Sequence, residues 1–398
     1  MCFTVLRWKN STSTALRVVK QHPPLEIEDG YYIGIMSGTS MDAVDAVMVQ
    51  FGHHGLKTIA AHHSIPFPSS LRSELAKLIQ PDWSGSLSYI AGLNAKLGTI
   101  YAETALSLIQ KSGVSKNKIH AIGNHGQTIW HQPNYEPHFS WQLGDANQIA
   151  ELTGITTVAD FRNRDIAAGG EGAPLVPAFH QALFSHPTKK RVILNIGGIA
   201  NISLLSSAHD TLGFDTGPGN SLLDAWCLEN HNLPFDRDGA WGAQGKIISS
   251  LLNQLMQDPF FQRSYPKSTG KEHFNLQWAR PYLTTAMNPE DIQATLLEVT
   301  ALSITQGIGL TLKETGLDVD EIFVCGGGSK NSCLMQRLKE LSGSATVTKT
   351  DALGVDADWV EAIAFAWLAR QTLLGLPGNL PSATGASGYR VLGAIYQT

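Results

Sequence analysis

The chain has 398 residues, enough for two domains and a sizeable core, and its 43% hydrophobic and 16% charged residues exclude a disordered, highly charged polypeptide. Lys and Arg number 29 against 34 Asp and Glu, a net charge of −5 that repels polyanions, so no nucleic-acid partner is expected. Uninterrupted apolar runs stay short of the roughly 18 residues of a membrane span, so no membrane partner is expected either. The four cysteines (Cys2, Cys227, Cys325, Cys333) lack C-x-x-C spacing and are expected to be reduced thiols in a cytoplasmic protein, although Cys325 and Cys333 could in principle meet.

Residues 1–30 read as an N-terminal extension. They carry Arg7, Lys9, Arg17 and Lys20 with no acid before Glu26 and lack the apolar core of a secretion signal, so they are expected to be dispensable. YYIGIMSGTSMDAVDAVMVQF at 31–51 reads as two strands joined by a tight Gly, Ser and Thr loop, followed by a further strand near 57–66. Leu87, Ile90, Leu93, Leu97, Tyr101, Ala105 and Leu108 recur three or four apart, which predicts a long amphipathic helix over 86–111. Short strands with Gly-rich turns follow at 120–128, 140–145 and 156–161.

RVILNIGGIANISLL at 191–205 repeats the strand, Gly turn, strand design of 31–51, and two such hairpins point to two related domains. A strand at 212–215 runs into TGPGNSLLDAW, helices are expected near 242–257 and 291–313, and EIFVCGGGSKN at 321–331 is a third strand with a Gly turn. The alternation of strands and helices predicts an α/β class. GLPGNLPSATGAS at 375–387 concentrates Gly, Pro and Ser and reads as a surface crossing.

The three Gly turns expose backbone N–H groups of the kind that wrap phosphate oxygens. None matches G-x-x-x-x-G-K-[ST] or a G-x-G-x-x-G opening a crossover helix, which disfavours P-loop and dinucleotide folds. Asp215 ends an apolar strand before Pro218 and Asn220, a place where a carboxylate either caps a helix or acts as a general base, kept ionised by the helix N-terminus. Glu361 and Asp358 form D-x-x-E, a capping-box variant. The aromatics at 359, 365 and 367 have helical spacing and are expected in the core, and no His, Cys or carboxylate spacing indicates zinc.

GIMSGTSMDAVDAV, GNHGQTIWHQP, ADFRNRDIAAGGEGAPLVPAFH, LNIGGIANIS, GFDTGPGN, PKSTGKEHFN, VCGGGSKN and EAIAFAWLA together resemble the anhydro-N-acetylmuramic acid kinase family, from about residue 31 to 396. The resemblance implies a two-domain sugar kinase/Hsp70/actin-like (ribonuclease H-like) fold, with mixed sheets and an interdomain cleft. Domain I would comprise 31–160 plus 370–398, and domain II 161–369. It implies ATP and Mg²⁺ as cofactors, and water attack on 1,6-anhydro-N-acetylmuramic acid with phosphorylation of the freed O6 during peptidoglycan recycling. A homodimer is expected by family habit. Rival readings are another sugar or carboxylate kinase of the same superfold and an actin-like or Hsp70-like ATPase.

Residue by residue, the resemblance assigns Gly38, Thr39, Ser40, Met41, Asp42, Ala43, Val44 and Asp45 to a first phosphate loop. Asn195, Gly197 and Gly198 fall in the second, and Gly326, Gly327 and Gly328 in the adenosine loop. Asp215 takes the catalytic role, and His125, Gln127, Arg164, Asp165 and Glu361 bind the sugar; the magnesium ligands are not specified. Two positions depart from the family pattern. Ala43 stands where Gly is usual, a substitution that a positive φ would penalise, and Glu171 stands where Gln is usual, so that it either points away from an anionic substrate or tunes the site.

Overall fold

The computed structural model describes residues 29–398 apart from 39, 40, 42, 54, 80–82, 134 and 135, so the extension expected at 1–30 lies almost wholly outside the described residues. In chain order the strands are β1 (Gly30–Met36), β2 (Ala43–Gly52), β3 (Gly55–Pro66), β4 (Ile119–Asn124), β5 (Gln127–Gln132), β6 (Phe139–Leu143) and β7 (Thr157–Ala159). They continue with β8 (Arg191–Ile196), β9 (Ile199–Leu205), β10 (Leu212–Pro218), β11 (Glu321–Cys325), β12 (Thr346–Lys349) and β13 (Ala394–Tyr396).

Two mixed sheets share one plan. The first has the order β13-β7-β4-β1-β2-β3 and the second β10-β9-β8-β11-β12. In each, three consecutive strands pair antiparallel and the next two add in parallel on the far side of the first strand. The α/β class, the mixed sheets and the pairing of like hairpins expected from the sequence are all present.

Period-two alternation decides the layering. On β1 and β2, Ile33, Ile35, Val44, Ala46 and Met48 face outward onto the helix Leu87–Ser112, with Leu93, Leu97 and Tyr101 buried among them. That helix starts at Ser86, whose side chain accepts the Tyr89 N–H, and stops at Gly113 in the left-handed conformation, which supplies both termini expected from the pattern. The opposite faces, with Tyr32, Val47, Ile193 and Phe323, enclose a central layer formed by the helices Val176–Phe184 and Val360–Leu373. Behind the second sheet lies Pro289–Thr315, the one helix among the described residues that is long and apolar enough to cross a membrane; 67% of its most apolar stretch is buried inside the fold against that sheet.

The helix Val360–Leu373 touches the first sheet at unusually short range. A Cβ on Gly34 would fall 1.8 Å from the Ala362 carbonyl oxygen, and one on Gly123 would fall 2.0 Å from that of Phe365. Only glycine permits this approach, and it brings the helix start to the ends of β1 and β4. From Val360 onward the helix packs closely on β1, β2 and β4. Trp359, Phe365 and Trp367 are core residues, as their spacing predicts.

The segment 375–387 corrects its sequence reading as a surface crossing. Asn379, Leu380, Ala383, Thr384 and Ala386 are buried, and Pro381–Thr384 forms a short helix against β10. Its Gly and Pro residues permit a tight path, and its polar side chains find partners inside. Cys227, Cys325 and Cys333 are free thiols.

Candidate active site

The turns after β1 and β8, the end of β4, the loop after β7 and the strand β10 converge at one end of the two sheets. At the first turn the Gly38 carbonyl accepts the Met41 N–H at 3.1 Å and the Gln127 Nε2–H at 3.3 Å, while Ser37 Oγ and the Tyr101 hydroxyl are 2.8 Å apart. Thr39, Ser40 and Asp42 lie outside the described residues. The left-handed residue of this turn is Met41, with φ 57°, and its side chain is buried. Ala43 is extended and pairs with Pro66, so the strain that Ala would suffer at a positive φ does not arise there. Val44 is buried and Asp45 pairs with Met36, both as ordinary strand residues.

The second turn is stitched to the segment after β10 by main-chain bonds. The Gly198 carbonyl accepts the Gly219 N–H at 2.9 Å and the Gly197 carbonyl accepts the Asn220 N–H at 2.8 Å. A Cβ at Gly219 would lie 2.3 Å from the Gly197 oxygen, which explains glycine at that position. Beside this turn, Asn195 is buried at the end of β8, and Gly326, with φ 79°, carries its Cα close to the Asn195 Oδ1. A Cβ on Gly327 would meet Asn220 Nδ2 at an ordinary 3.6 Å, and Gly328 is buried over Ile196. A cavity of about 280 Å³ opens next to this loop, lined by Ser329, Lys330, Met335, Lys339 and Lys349 among others. The Ser329 hydroxyl is buried with no hydrogen-bond partner among the described residues.

Asp215 sits inside β10 opposite Asn201, at a bulge where Thr216 is the extra residue. It does not cap the following helix, Ser221–His231, whose N-cap is Asn220, and Pro218 belongs to the strand. Its Oδ2 accepts the Thr269 N–H at 2.9 Å, and its own N–H donates to the Lys267 carbonyl at 3.1 Å. Burial pushes its carboxyl up to about 7, the Thr269 N–H and the Arg162 guanidinium opposing and the Glu171 and Glu272 carboxylates reinforcing the rise. The expectation that a helix N-terminus keeps it ionised is thereby corrected: desolvation dominates, and the group is poised near neutrality.

Facing it, Arg162 donates from Nη2 to His125 Nε2 at 2.9 Å and from Nη1 to the Gly172 carbonyl at 2.8 Å. Arg162 lies in the field of Glu361, Asp215 and Asp165, whose charges hold the guanidinium protonated against its burial. His125 is buried against Phe365, and burial together with Arg162 holds its ring well below the usual range, hence neutral. The Gln127 Oε1 is buried with no partner among the described residues. Glu361 is raised by burial, with Arg162 opposing and Asp45 adding to the rise. The capping box expected of Glu361 is absent, because Trp359 is the N-cap and Asp358 instead pairs with Lys330 at 2.6 Å.

Asp165 and Arg164, two of the expected sugar contacts, stand apart from this cluster. Asp165 is fully buried and spent on the protein: Oδ1 accepts from Asn379 Nδ2 at 2.7 Å and Thr384 Oγ1 at 2.8 Å, and Oδ2 accepts the Gly172 N–H at 2.9 Å. These bonds tie the loop to the segment 379–384. Arg164 is exposed, and no described contact joins it to the cluster. Arg162, two residues earlier, is the arginine that the structure brings to His125 and into the field of Asp215 and Glu361. DFRNRD offers two arginines, and only the direction of the chain after β7 selects between them. Among the described residues no three His, Cys, Asp or Glu side chains converge as a metal cluster.

The chain is similar to several known proteins. The solved structures it resembles include the Acidaminococcus fermentans (R)-2-hydroxyglutaryl-CoA dehydratase component A, with 14% identity, 86% of this chain and 98% of that one covered, and a TM-score of 0.46. A ROK hexokinase from Thermus thermophilus matches with 14% identity, coverage of 86% and 99%, and a TM-score of 0.36. Among curated proteins, the anhydro-N-acetylmuramic acid kinase of Coxiella burnetii strain RSA 493 / Nine Mile phase I is 49% identical over 368 residues, which is 92% of this chain and 97% of the relative. The same identity and coverage hold for that of strain Dugway 5J108-111. The model of the anhydro-N-acetylmuramic acid kinase family matches residues 30–398, a span that takes in both hairpins, the adenosine loop, Asp215 and the Arg162 to Glu361 cluster, and the chain belongs to that family.

Proposed function

We propose that the protein is an ATP-dependent kinase that opens the 1,6-anhydro ring of 1,6-anhydro-N-acetylmuramic acid with water and phosphorylates O6, giving N-acetylmuramic acid 6-phosphate and ADP. The observation that carries this reading is Asp215, a carboxyl group pushed to about 7 on the strand paired with the second hairpin, clamped by Lys267 and Thr269 and within the field of Arg162, in a chain of this family. A base of that strength is half ionised at neutral pH and suits proton removal from water.

Asp215 takes one proton as the water oxygen bonds to C1, the C1–O6 bond breaks, and the electron pair it leaves on O6 attacks the γ-phosphorus. ADP departs with the electrons of the β,γ-bridge bond. The proton on Asp215 is then released to solvent. Arg162 and the neutral His125 face the anionic and hydroxyl groups of the sugar, Gln127 offers its unpaired Oε1, and Glu361 accepts from a sugar hydroxyl. The nucleotide fits the protein through Gly327, the unpaired Ser329 hydroxyl and the adjoining cavity. Magnesium would neutralise phosphate charge. A donor set without a three-residue cluster suits an ion carried in on the phosphates, with Asp45 as the described carboxylate of the first hairpin.

The two lobes would be residues 30–160 with the return from about 360, and residues 161–359, closing over both ligands to exclude bulk water. We place this activity in the cytoplasm, in peptidoglycan recycling. Incubation with ATP and 1,6-anhydro-N-acetylmuramic acid in ¹⁸O-labelled water, followed by mass spectrometry, tests the reading. Product carrying both the phosphoryl group and an early label at C1 is expected. Label entering only at the rate of anomeric exchange would exclude water attack, and ATP consumption independent of sugar would favour an ATPase.

A further inference from the structure

Glu171 stands in the loop between β7 and the helix Val176–Phe184, with little freedom to move. Its N–H donates to the Thr384 carbonyl at 2.8 Å. The next residue is held on both sides, because the Gly172 N–H donates to Asp165 Oδ2 at 2.9 Å and its carbonyl accepts from Arg162 at 2.8 Å. From this fixed base the Glu171 Oε2 accepts the Ser268 hydroxyl at 2.5 Å. Ser268 is the centre of a clamp on Asp215: Lys267 on one side accepts the Asp215 N–H, and Thr269 on the other donates its N–H to the Asp215 carboxylate. Lys267 is itself buried and anchored by its ammonium to the Phe260 carbonyl at 3.1 Å.

We propose that Glu171 is a positioning residue for the catalytic base: it grips Ser268, so fixing the segment that clamps Asp215 front and back, and it sets a second negative charge beside that base. The inference rests on the reading of Asp215 as the water-activating group. The charged groups around Asp215 are Arg162 and Glu171 from the loop after β7, and Lys267 and Glu272 from the segment 267–272. Arg162 and Lys267 favour the ionised form, and Glu171 and Glu272 oppose it. A glutamine at this position can accept the same Ser268 hydrogen bond through its amide oxygen. The two residues then differ in charge alone, and the glutamate makes Asp215 a stronger base that needs a higher pH to be ready.

The test is the pH dependence of kcat/KM, with ATP and 1,6-anhydro-N-acetylmuramic acid, for the wild type and for Glu171→Gln, Glu171→Ala and Asp215→Asn. Glu171→Gln is expected to move the acidic limb down by about one pH unit, so that the variant outperforms the wild type at the acid end, while the plateau falls a few-fold because the base is weaker. Glu171→Ala is expected to lower the plateau by about ten-fold or more, since Ser268 loses its acceptor, with Glu171→Gln retaining most of what Ala loses. An acidic limb that stays in place or moves up in Glu171→Gln, while Asp215→Asn is inactive, overturns the role of Glu171 and leaves the base intact. Turnover retained in Asp215→Asn overturns the reading of Asp215, and this inference with it.

Discussion

The two hairpins occupy equivalent places in equivalent sheets, yet they are held in different ways. The second is stapled to the Gly219–Ser221 turn by three main-chain bonds, and Asn220 adds a fourth contact through its Nδ2 to the Ile196 carbonyl at 3.2 Å. Among the described residues of the first turn, side chains supply the props, Gln127 on Gly38 and Tyr101 near Ser37. Main-chain stitching survives most side-chain changes, whereas side-chain props depend on the residues that supply them. The second hairpin is accordingly a wall stitched by its main chain, and Asp215 lies on the strand paired with it.

Asp215→Asn tests that wall where it matters most. It preserves shape, so the fold should persist while kcat falls by about 10² to 10⁴, with sugar and nucleotide affinities nearly unchanged. The wild-type kcat/KM should rise with pH and level off above about 7, since the base must be ionised. Because the folded state holds this proton more tightly than the unfolded chain, stability should fall as pH rises from 3.8 to about 7, and Asp215→Asn should flatten that slope in thermal melts.

Gly219→Val attacks the stapling directly. The added side chain cannot fit beside the Gly197 carbonyl, so a loss of about 1 to 3 kcal/mol in chemical denaturation is expected, together with weaker ATP binding. Gly327→Val is its control, because no protein atom lies within 3.5 Å of that Cβ position. Its thermal midpoint should stay near that of the wild type while the KM for ATP rises about ten-fold or more and the KM for sugar moves little. Equal effects on both KM values would take the loop out of the nucleotide site.

The smallest change sharpens the first hairpin. Ala43→Gly tests the expectation that this turn favours glycine, but Ala43 is extended and strand-paired, so no strain is relieved. A stability loss of about 0.5 to 1 kcal/mol, as for any Gly within a strand, and unchanged KM for ATP are expected. A marked fall in the KM for ATP would show that the loop needs a backbone shape that Ala denies it.

The glycine hairpins, the 87–112 helix and the strand bearing Asp215 were legible because each is a local pattern of period or turn chemistry. What the sequence hid was long-range. Arg162 and Arg164 look alike in one dimension, and only the contact with His125, 37 residues earlier, distinguishes them. The clamp of Lys267 and Thr269 on Asp215 spans more than 50 residues and is made by backbone groups that no side-chain pattern announces. The buried path of 375–387 was misread because Gly and Pro mark turns without saying whether water or protein surrounds them. Gly34 and Gly123 look like ordinary strand glycines until the central helix lies on them.

The buried carboxylate of Asp165 has a consequence for the order in which the molecule is made. Its partners Asn379 and Thr384 are synthesised 214 and 219 residues later, and the edge of the first sheet is finished only when Tyr396 reaches Thr157. Chain emerging from the ribosome can assemble both hairpins and most of both sheets well before that point. The loop that presents Arg162 and Glu171 cannot take its final shape until the last stretch has threaded home, so a nascent chain stalled near residue 370 would be largely folded and yet lack a working site.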